Sequence, residues 1–194
     1  MKDMLRKINL YVLSLGLLFL FIIIITFQLP SEDVDLYSLK GCASFMASNY
    51  VSLFSLLMIV YCVIAYLRFD NELKGATQIP FTVSKIENID YEHLTFLATY
   101  VVPLISFDFG SGRQLIVLAL LMVAMGVIYI KTNLFYANPS LALIGFRIFR
   151  VDGSFKTGER RGIIIICRRK LVEGDKATYI KLDDNIYYAK RVTG

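Results

Sequence analysis

The chain has 194 residues, of which 56% are hydrophobic and only 19% are charged, and its formal net charge is +5. With a mean hydropathy of +0.59, this composition excludes an ordinary soluble domain, in which about a quarter of the residues are charged. One histidine excludes sites that need two imidazoles, and three cysteines far apart in the chain build no disulfide or metal framework.

The first predicted element is an apolar segment at residues 8–27, which contains twenty residues without a charge. As a helix it would be roughly 30 Å long, which matches the hydrocarbon thickness of a bilayer. It exceeds the apolar core of a secretory signal peptide, and no small-residue cleavage site follows it. We therefore expect a membrane-spanning helix.

Three more apolar segments predict an all-α bundle of four transmembrane helices. The expected spans are residues 8–28, 45–66, 91–109 and 114–131. The third span is short in apolar residues and contains Pro103, so the alternative is a re-entrant hairpin formed with the fourth. The transmembrane domain is then 1–136, with a cytoplasmic loop at 67–90.

The charges of the loops predict the orientation. The segment before the first span has three basic residues against one acidic residue, and the loop after it has three acidic residues against one basic residue. Residues 131–194 contain 13 Lys or Arg against 6 Asp or Glu. By the positive-inside rule both termini are cytoplasmic, which an even number of spans satisfies. The positive-inside rule explains most of this basic charge. We therefore do not interpret the charge as a sign of nucleic-acid binding.

The C-terminal region, 137–194, predicts a small β-rich cytoplasmic domain with three to four antiparallel strands. Strands are predicted at residues 141–151 and 162–167, and the second of them is expected to be buried on both faces. Residues 178–182 and 186–191 are predicted to form a hairpin. Residues 78–86 of the long loop also alternate, and Pro80 would restrict them to a sheet edge or a strand start. Because so small a core is marginal, we expect it to lean on the long loop, a second subunit or a partner.

No motif predicts catalysis, a cofactor or a metal. The sequence contains no glycine-rich phosphate loop and no metalloprotease or nucleophile-elbow pattern. A membrane enzyme acting on lipid would have only Glu92, His93 and Asp108 at its disposal. We interpret His93 as an interfacial residue bordering the third span.

A stripe of small residues follows one face of the second span. Its members are Ser44, Ser48, Ser52 and Ser55. In membranes such a stripe permits close helix packing, and the alternative is a passive pore lined by hydroxyl groups.

Two basic clusters flank the strand at 162–167. They consist of Arg160 with Arg161, and of Arg168 with Arg169 and Lys170. Such clusters are solvated turns, or they contact lipid phosphates or an acidic protein partner.

Several stretches resemble a known family. They are residues 89–100 with Pro103-Leu104, the sequence YIKTN at 129–133, and YANPSLALIGF at 136–146. These residues resemble the KwaA family, the membrane subunits of the Kiwa anti-phage defence system. The similarity covers most of the chain and is most specific between about 78 and 151.

The resemblance implies a multi-pass protein of the bacterial inner membrane that senses infection at the envelope. It implies a homo-oligomer, a tetramer in that family, which holds the cytoplasmic effector KwaB, and the effector carries the DNA-binding role. We therefore expect a non-enzymatic sensor and scaffold that contacts membrane lipids and does not itself bind nucleic acid. The alternative is a small ion channel or pore that depolarises the membrane on infection.

Two matched segments are candidates for coupling the membrane to the cytoplasmic domain. Asn138-Pro139 would end the fourth helix, because the residue before a proline is pushed out of the α region. Tyr91, Glu92 and His93 would fix the chain where the long loop re-enters the membrane. Both hypotheses require a helix bundle with two arrangements.

Overall fold

The computed structural model describes residues 2–30, 38–74 and 80–192. The acidic residues of the first loop, at 32, 33 and 35, and residues 78 and 79 of the long loop lie outside these ranges. The helices are α1 (Lys2–Ser14), α2 (Gly16–Thr26), α3 (Leu39–Ser48), α4 (Tyr50–Lys74), α5 (Tyr91–Ser106), α6 (Gly112–Lys131) and α7 (Pro139–Leu143), with a 3₁₀ turn at Leu134–Tyr136.

Three helical stretches are long and apolar enough to cross a membrane. They are Met4–Thr26, Tyr50–Leu73 and Gly112–Lys131. Helix α5 has 16 residues, roughly 24 Å at the rise of an α-helix, and is shorter than any of the three. The expected membrane helices are therefore present, and the count of four rests on how α5 is placed.

Two expected spans differ in detail from the prediction. The first helix breaks at Leu15 and the second at Asn49, so each consists of two pieces. Helix α4 also continues to Lys74 instead of ending near residue 66. Its last turns stay helical because Phe69 and Leu73, four residues apart, are both buried on one face.

The β-rich part is a closed barrel of five strands. The strands are β1 (Phe81–Asn88), β2 (Arg147–Phe155), β3 (Gly158–Cys167), β4 (Lys176–Asp183) and β5 (Ile186–Arg191). Their order around the barrel is β1-β2-β3-β5-β4, and β3 pairs with β5 in parallel. The C-terminal region itself contributes four strands, β2 to β5, as many as predicted. The expectation that all of them are antiparallel is wrong for the pairing of β3 with β5. The order and directions are those of a five-stranded Greek-key barrel of the OB type.

The fifth strand comes from the long loop. β1 begins directly after Pro80, as predicted, and pairs with β2 and β4. The hairpin of β4 and β5 is also confirmed. The start of the predicted strand at 141–151 is wrong, because residues 139–143 form α7, whose first turn is capped by Asn138.

The barrel wall separates two apolar cores, one inside the barrel and one between its outer face and the helices. Ile163 and Ile165 point into its interior with residues of the other strands, whereas Ile164 and Ile166 join the core of the helices. This is why the strand is buried on both faces. Ile148 of β2 is on the same outer face, so the barrel is packed directly against the helix bundle.

Candidate functional site

We use the term junction for the region where the helices contact the barrel. Its first part involves the start of α1. The Lys7 ammonium lies 2.9 Å from a carboxylate oxygen of Asp183, at the end of β4. Lys7 also donates to the side-chain oxygen of Asn133, just after α6, at 2.6 Å. The neighbouring Arg6 donates to the Leu182 carbonyl. Since the side chains of Lys7 and Asp183 are only 17% and 18% exposed, solvent screens this pair less than a surface ion pair.

Asn133 allows the chain to reach this junction. Its φ is +55°, in the left-handed region, which asparagine adopts more readily than most residues. The turn after α6 therefore presents the Asn133 amide oxygen towards α1.

Asn138 is the buried bridge of the junction. Its side chain is 0% exposed, accepts from the Leu141 amide at 3.2 Å and donates to the Leu10 carbonyl at 2.9 Å. With Pro139 at the first helical position, Asn138 begins α7. The expectation that this pair ends the fourth helix is therefore wrong, because α6 already ends at Lys131.

The start of α5 forms the second part of the junction. The Asp90 carboxylate accepts from the Ile148 amide of β2 at 2.8 Å. Glu92 lies 3.7 Å from the Arg150 guanidinium. Burial first, and then a hydrogen bond with Glu92, raise the pKa of Tyr136 to about 12. The pKa of Tyr136, in the turn before Asn138, thus depends on burial and on Glu92 at the start of α5.

His93 lies in the same first turn of α5. Its ring is 4% exposed, and neither ring nitrogen has a hydrogen-bond partner among the described residues. It borders a cavity of about 380 Å³ together with Asp90 and Arg147. Tyr91, by contrast, is exposed. The structure therefore brings Glu92, His93, Asn138 and Pro139 to the junction and leaves Tyr91 outside it.

Arg168 makes a third connection, between the barrel and the end of α4. Its guanidinium donates to the Asp70 carboxylate at 2.6 Å and to the Tyr66 hydroxyl at 2.9 Å. The same group lies 4.8 Å from the centre of the Phe146 ring, within the range of a cation–π contact. We call the set Arg168, Asp70 and Tyr66 the α4 latch.

The two basic clusters do not form one patch. Arg160 lies at the start of β3, where it stacks over Phe155 and Tyr187 at 5.1 and 5.6 Å. The other cluster follows the end of β3, where Arg169 and Lys170 are exposed. Arg168 lies seven positions after Arg161 along the strand, roughly 23 Å at the strand rise. Arg168 belongs to the contact with α4, whereas Arg160 donates to the Tyr187 hydroxyl near the turn between β4 and β5.

The four serines separate into two pairs at the break before α4. Ser44 and Ser48 are exposed on α3. Ser52 and Ser55 are buried, and the Ser52 hydroxyl lies 2.7 Å from that of Thr26 in α2. Ser52 therefore packs against α2 within one chain, and Ser55 lines a cavity between the helices.

Sequence reasoning missed Lys7, Asn133, Asp183 and Asp70. Each contacts a residue far away in the chain, so no local spacing signals the contact. The one usable signal was in α4, where buried Phe69 and Leu73 predict that the helix continues past the membrane and carries Asp70 with it.

The described residues of the junction do not form a metal centre. Within residues 2–30, 38–74 and 80–192, no group of three His, Cys, Asp or Glu side chains is placed to hold a metal ion. What the site provides is a set of charged and amide bridges between elements far apart in sequence.

Comparisons with known proteins agree with one another. A family model described as "Anti-phage protein KwaA" matches residues 6–188. The chain is 37% identical over 188 residues to the "Kiwa protein KwaA" of Escherichia coli O55:H7 (strain RM12579 / EPEC), covering 95% of this chain and 90% of the relative. No solved structure matches.

Proposed function

The chain belongs to the KwaA family of anti-phage proteins, and from this premise we propose that it is a non-enzymatic membrane sensor and scaffold of a defence complex. The family membership itself gives the role in defence. The proposal adds how this chain performs it: membrane helices detect a change, and the junction passes that change to the barrel.

Closure of the barrel supports four crossings of the membrane. β1 precedes α5, β2 follows α6, and the two strands pair in one barrel. The segment between them must therefore leave and return to the same side. A crossing by α6, which is long enough for it, requires a crossing by α5 as well. The 16 residues of α5 suffice for this where the bilayer thins slightly.

The same reasoning supports the placement of the first two spans. Lys7 near the N-terminus and Asp70 near the end of α4 both contact the barrel. The chain therefore goes out through α1 and α2 and returns through α4. With the basic barrel on the cytoplasmic side, both termini are cytoplasmic in the bacterial inner membrane.

The barrel supports a protein partner instead of a nucleic acid. Barrels of the OB type bind oligonucleotides across their second and third strands and the adjoining loops. Here the outer face of β2 and β3 packs Ile148, Ile164 and Ile166 against the helices. The start of β3, with Arg160 and the exposed Arg161, is the surface that we assign to a cytoplasmic effector of the KwaB type.

Assembly into a homo-oligomer is the remaining part of the proposal. Large apolar side chains of α4 and α6 are exposed, among them Phe54, Leu57, Leu120 and Val123. These faces fit lipid tails or neighbouring subunits, and exposed Ser44 and Ser48 permit close approach of helices.

The observation that carries the proposal is the set of polar bridges at the junction, and the α4 latch allows a direct test. Arg168→Glu and Asp70→Arg each place like charges together, so we expect each to abolish most protection against phage. The double variant restores an opposite pair and regains protection. Plaque counts at equal membrane levels, set by immunoblot, are the measurement.

Lys190→Glu is the matched control, because it makes the same charge change at an exposed position of the barrel. It is expected to protect fully. If both single variants at the latch also protect fully, the junction does not transmit the signal and the proposal fails.

A further inference from the structure

A cavity of about 390 Å³ opens between the helices on the side opposite the barrel. Its mouth carries polar groups from Thr26, Gln28, Ser48 and Asp108. Thr26 is the last residue of α2, and Asp108 belongs to the turn between α5 and α6. The mouth therefore lies where the helices end, at the depth of lipid headgroups.

A second cavity of about 190 Å³ continues from the first towards the middle of the helices. The two share Tyr50, Val51 and Phe109 as lining residues. The deeper one is lined mostly by apolar side chains, including Phe19 and Met122. These lie seven and ten residues from the ends of their helices, roughly 10 to 15 Å into the hydrocarbon.

The combined cavity changes from polar to apolar along the membrane normal, as a phospholipid does. A helix of a second subunit at this depth would offer apolar side chains at its end and leave the polar mouth unmatched. The charge at the mouth then selects the headgroup. Among the described residues, no Lys or Arg lines either cavity, and Asp108 is the one carboxylate.

We propose that this cavity binds one phospholipid with a protonated amine headgroup, such as phosphatidylethanolamine. The headgroup-proximal part of one acyl chain lies in the apolar part between α2, α4 and α6, and the ammonium lies beside the Asp108 carboxylate. The inference rests on the membrane placement proposed above. It gives the sensor a bound molecule of the membrane itself, held between the spans that lead to the junction.

Ala119 provides the test, because it lines the apolar cavity and is small. Ala119→Phe fills the space that the acyl chain would occupy. Ala124→Phe adds the same volume at a position of the same helix that lines neither cavity and is the matched control. The full chain is reconstituted into nanodiscs of phosphatidylethanolamine and phosphatidylglycerol, and native mass spectrometry counts the lipids retained.

We expect wild type and Ala124→Phe to retain one lipid per chain, and Ala119→Phe to lose it at least tenfold. Asp108→Asn is expected to retain a lipid but to lose the preference for the amine headgroup. The proposal is overturned if wild type retains none, if Ala119→Phe and Ala124→Phe retain it equally, or if Ala119→Phe changes the subunit number and leaves lipid retention unchanged.

Failure of the membrane placement gives a different result. A chain that does not enter nanodiscs at all contradicts the spans themselves. A chain that enters but carries no lipid contradicts only the lipid site.

Discussion

Two buried asparagines fix the backbone at opposite ends of the helices. Asn49, 2% exposed, accepts from the Gln28 amide at 2.8 Å and donates to the Gln28 carbonyl at 3.1 Å. Asn138 does the same work on the barrel side, between α7 and Leu10. In each case a side-chain amide satisfies backbone groups that a bilayer or a core would leave unpaired.

Asn138 allows its two roles to be separated. Asn138→Ala leaves the Leu10 carbonyl and the Leu141 amide without this partner, so we expect the free energy of unfolding to fall by about 1–3 kcal/mol. Asn138→Ser keeps a good helix cap but is too short for Leu10, and its loss is smaller. Thermal unfolding in detergent measures both.

If Asn138→Ser is as stable as wild type, the bridge to α1 contributes nothing and only the cap matters. Asn138-Pro139 was predicted to be important because it would end the fourth helix, and that reason is wrong. A proline after a polar residue indicates a helix boundary. The same pattern is found at the start of a helix as well as after its end. The partner, Leu10, is 128 residues away and leaves no local trace.

At the scale of elements, the sequence pattern predicted those helices and strands whose formation depends on neighbouring residues. Alternation predicted the β4–β5 hairpin, and the uniform isoleucine run predicted a strand buried on both faces. The breaks at Leu15 and Asn49 were not predictable, because a uniformly apolar run has no signal for where a helix bends. The closing of β1 against β4 depends on contacts across the whole chain.

β1 tests whether the barrel depends on the long loop. Val83 is 1% exposed in the barrel interior, so Val83→Asp buries an unpaired charge, and we expect a cost of about 3 kcal/mol or more. Limited proteolysis should then cut residues 147–192, although β1 lies outside the C-terminal region. Ser84→Asp, on the exposed neighbour, is the control and should stay resistant.

Resistance of the Val83→Asp barrel would show that the four C-terminal strands form a stable unit by themselves. Such a result would support the predicted boundary of the β-rich domain at residue 137, with β1 as an addition to it. Hydrogen exchange of β2 would give the same answer independently, because β2 pairs with β1 along most of its length.

At the scale of the whole molecule, the proposed topology rests on two separate arguments. The distribution of basic residues predicts which side of the membrane the barrel occupies, and the pairing of β1 with β2 requires both ends of the α5–α6 segment to lie on one side. What the sequence did not contain is the attachment of the barrel to the bundle. That attachment uses a shared apolar core and ion pairs between residues that no spacing relates.

Cysteine labelling checks this topology. Cys42 is exposed on α3, on the side opposite the barrel, so a membrane-impermeant maleimide should label the Cys62→Ala/Cys167→Ala variant in intact spheroplasts. In the Cys42→Ala/Cys62→Ala variant, burial raises the pKa of the remaining Cys167 to about 12. Because the thiolate is the reactive form, a permeant maleimide at pH 8 should label it only after denaturation.

Labelling of Cys42 only after the membrane is permeabilised would reverse the orientation. Fast labelling of folded Cys167 would instead mean that the end of β3 opens, since the thiol is buried and donates to the Arg169 carbonyl. The two results are separable because each variant carries a single thiol.

The interleaving of barrel and membrane hairpin also sets an order for biogenesis. β1 leaves the ribosome before α5 and α6, yet every strand with which it pairs is translated after them. In the proposed topology, the nascent β1 therefore stays unpaired while α5 and α6 are inserted into the membrane. Chaperone capture of this segment would be most needed during that interval, and a ribosome stalled just after α6 would expose a strand with no neighbour.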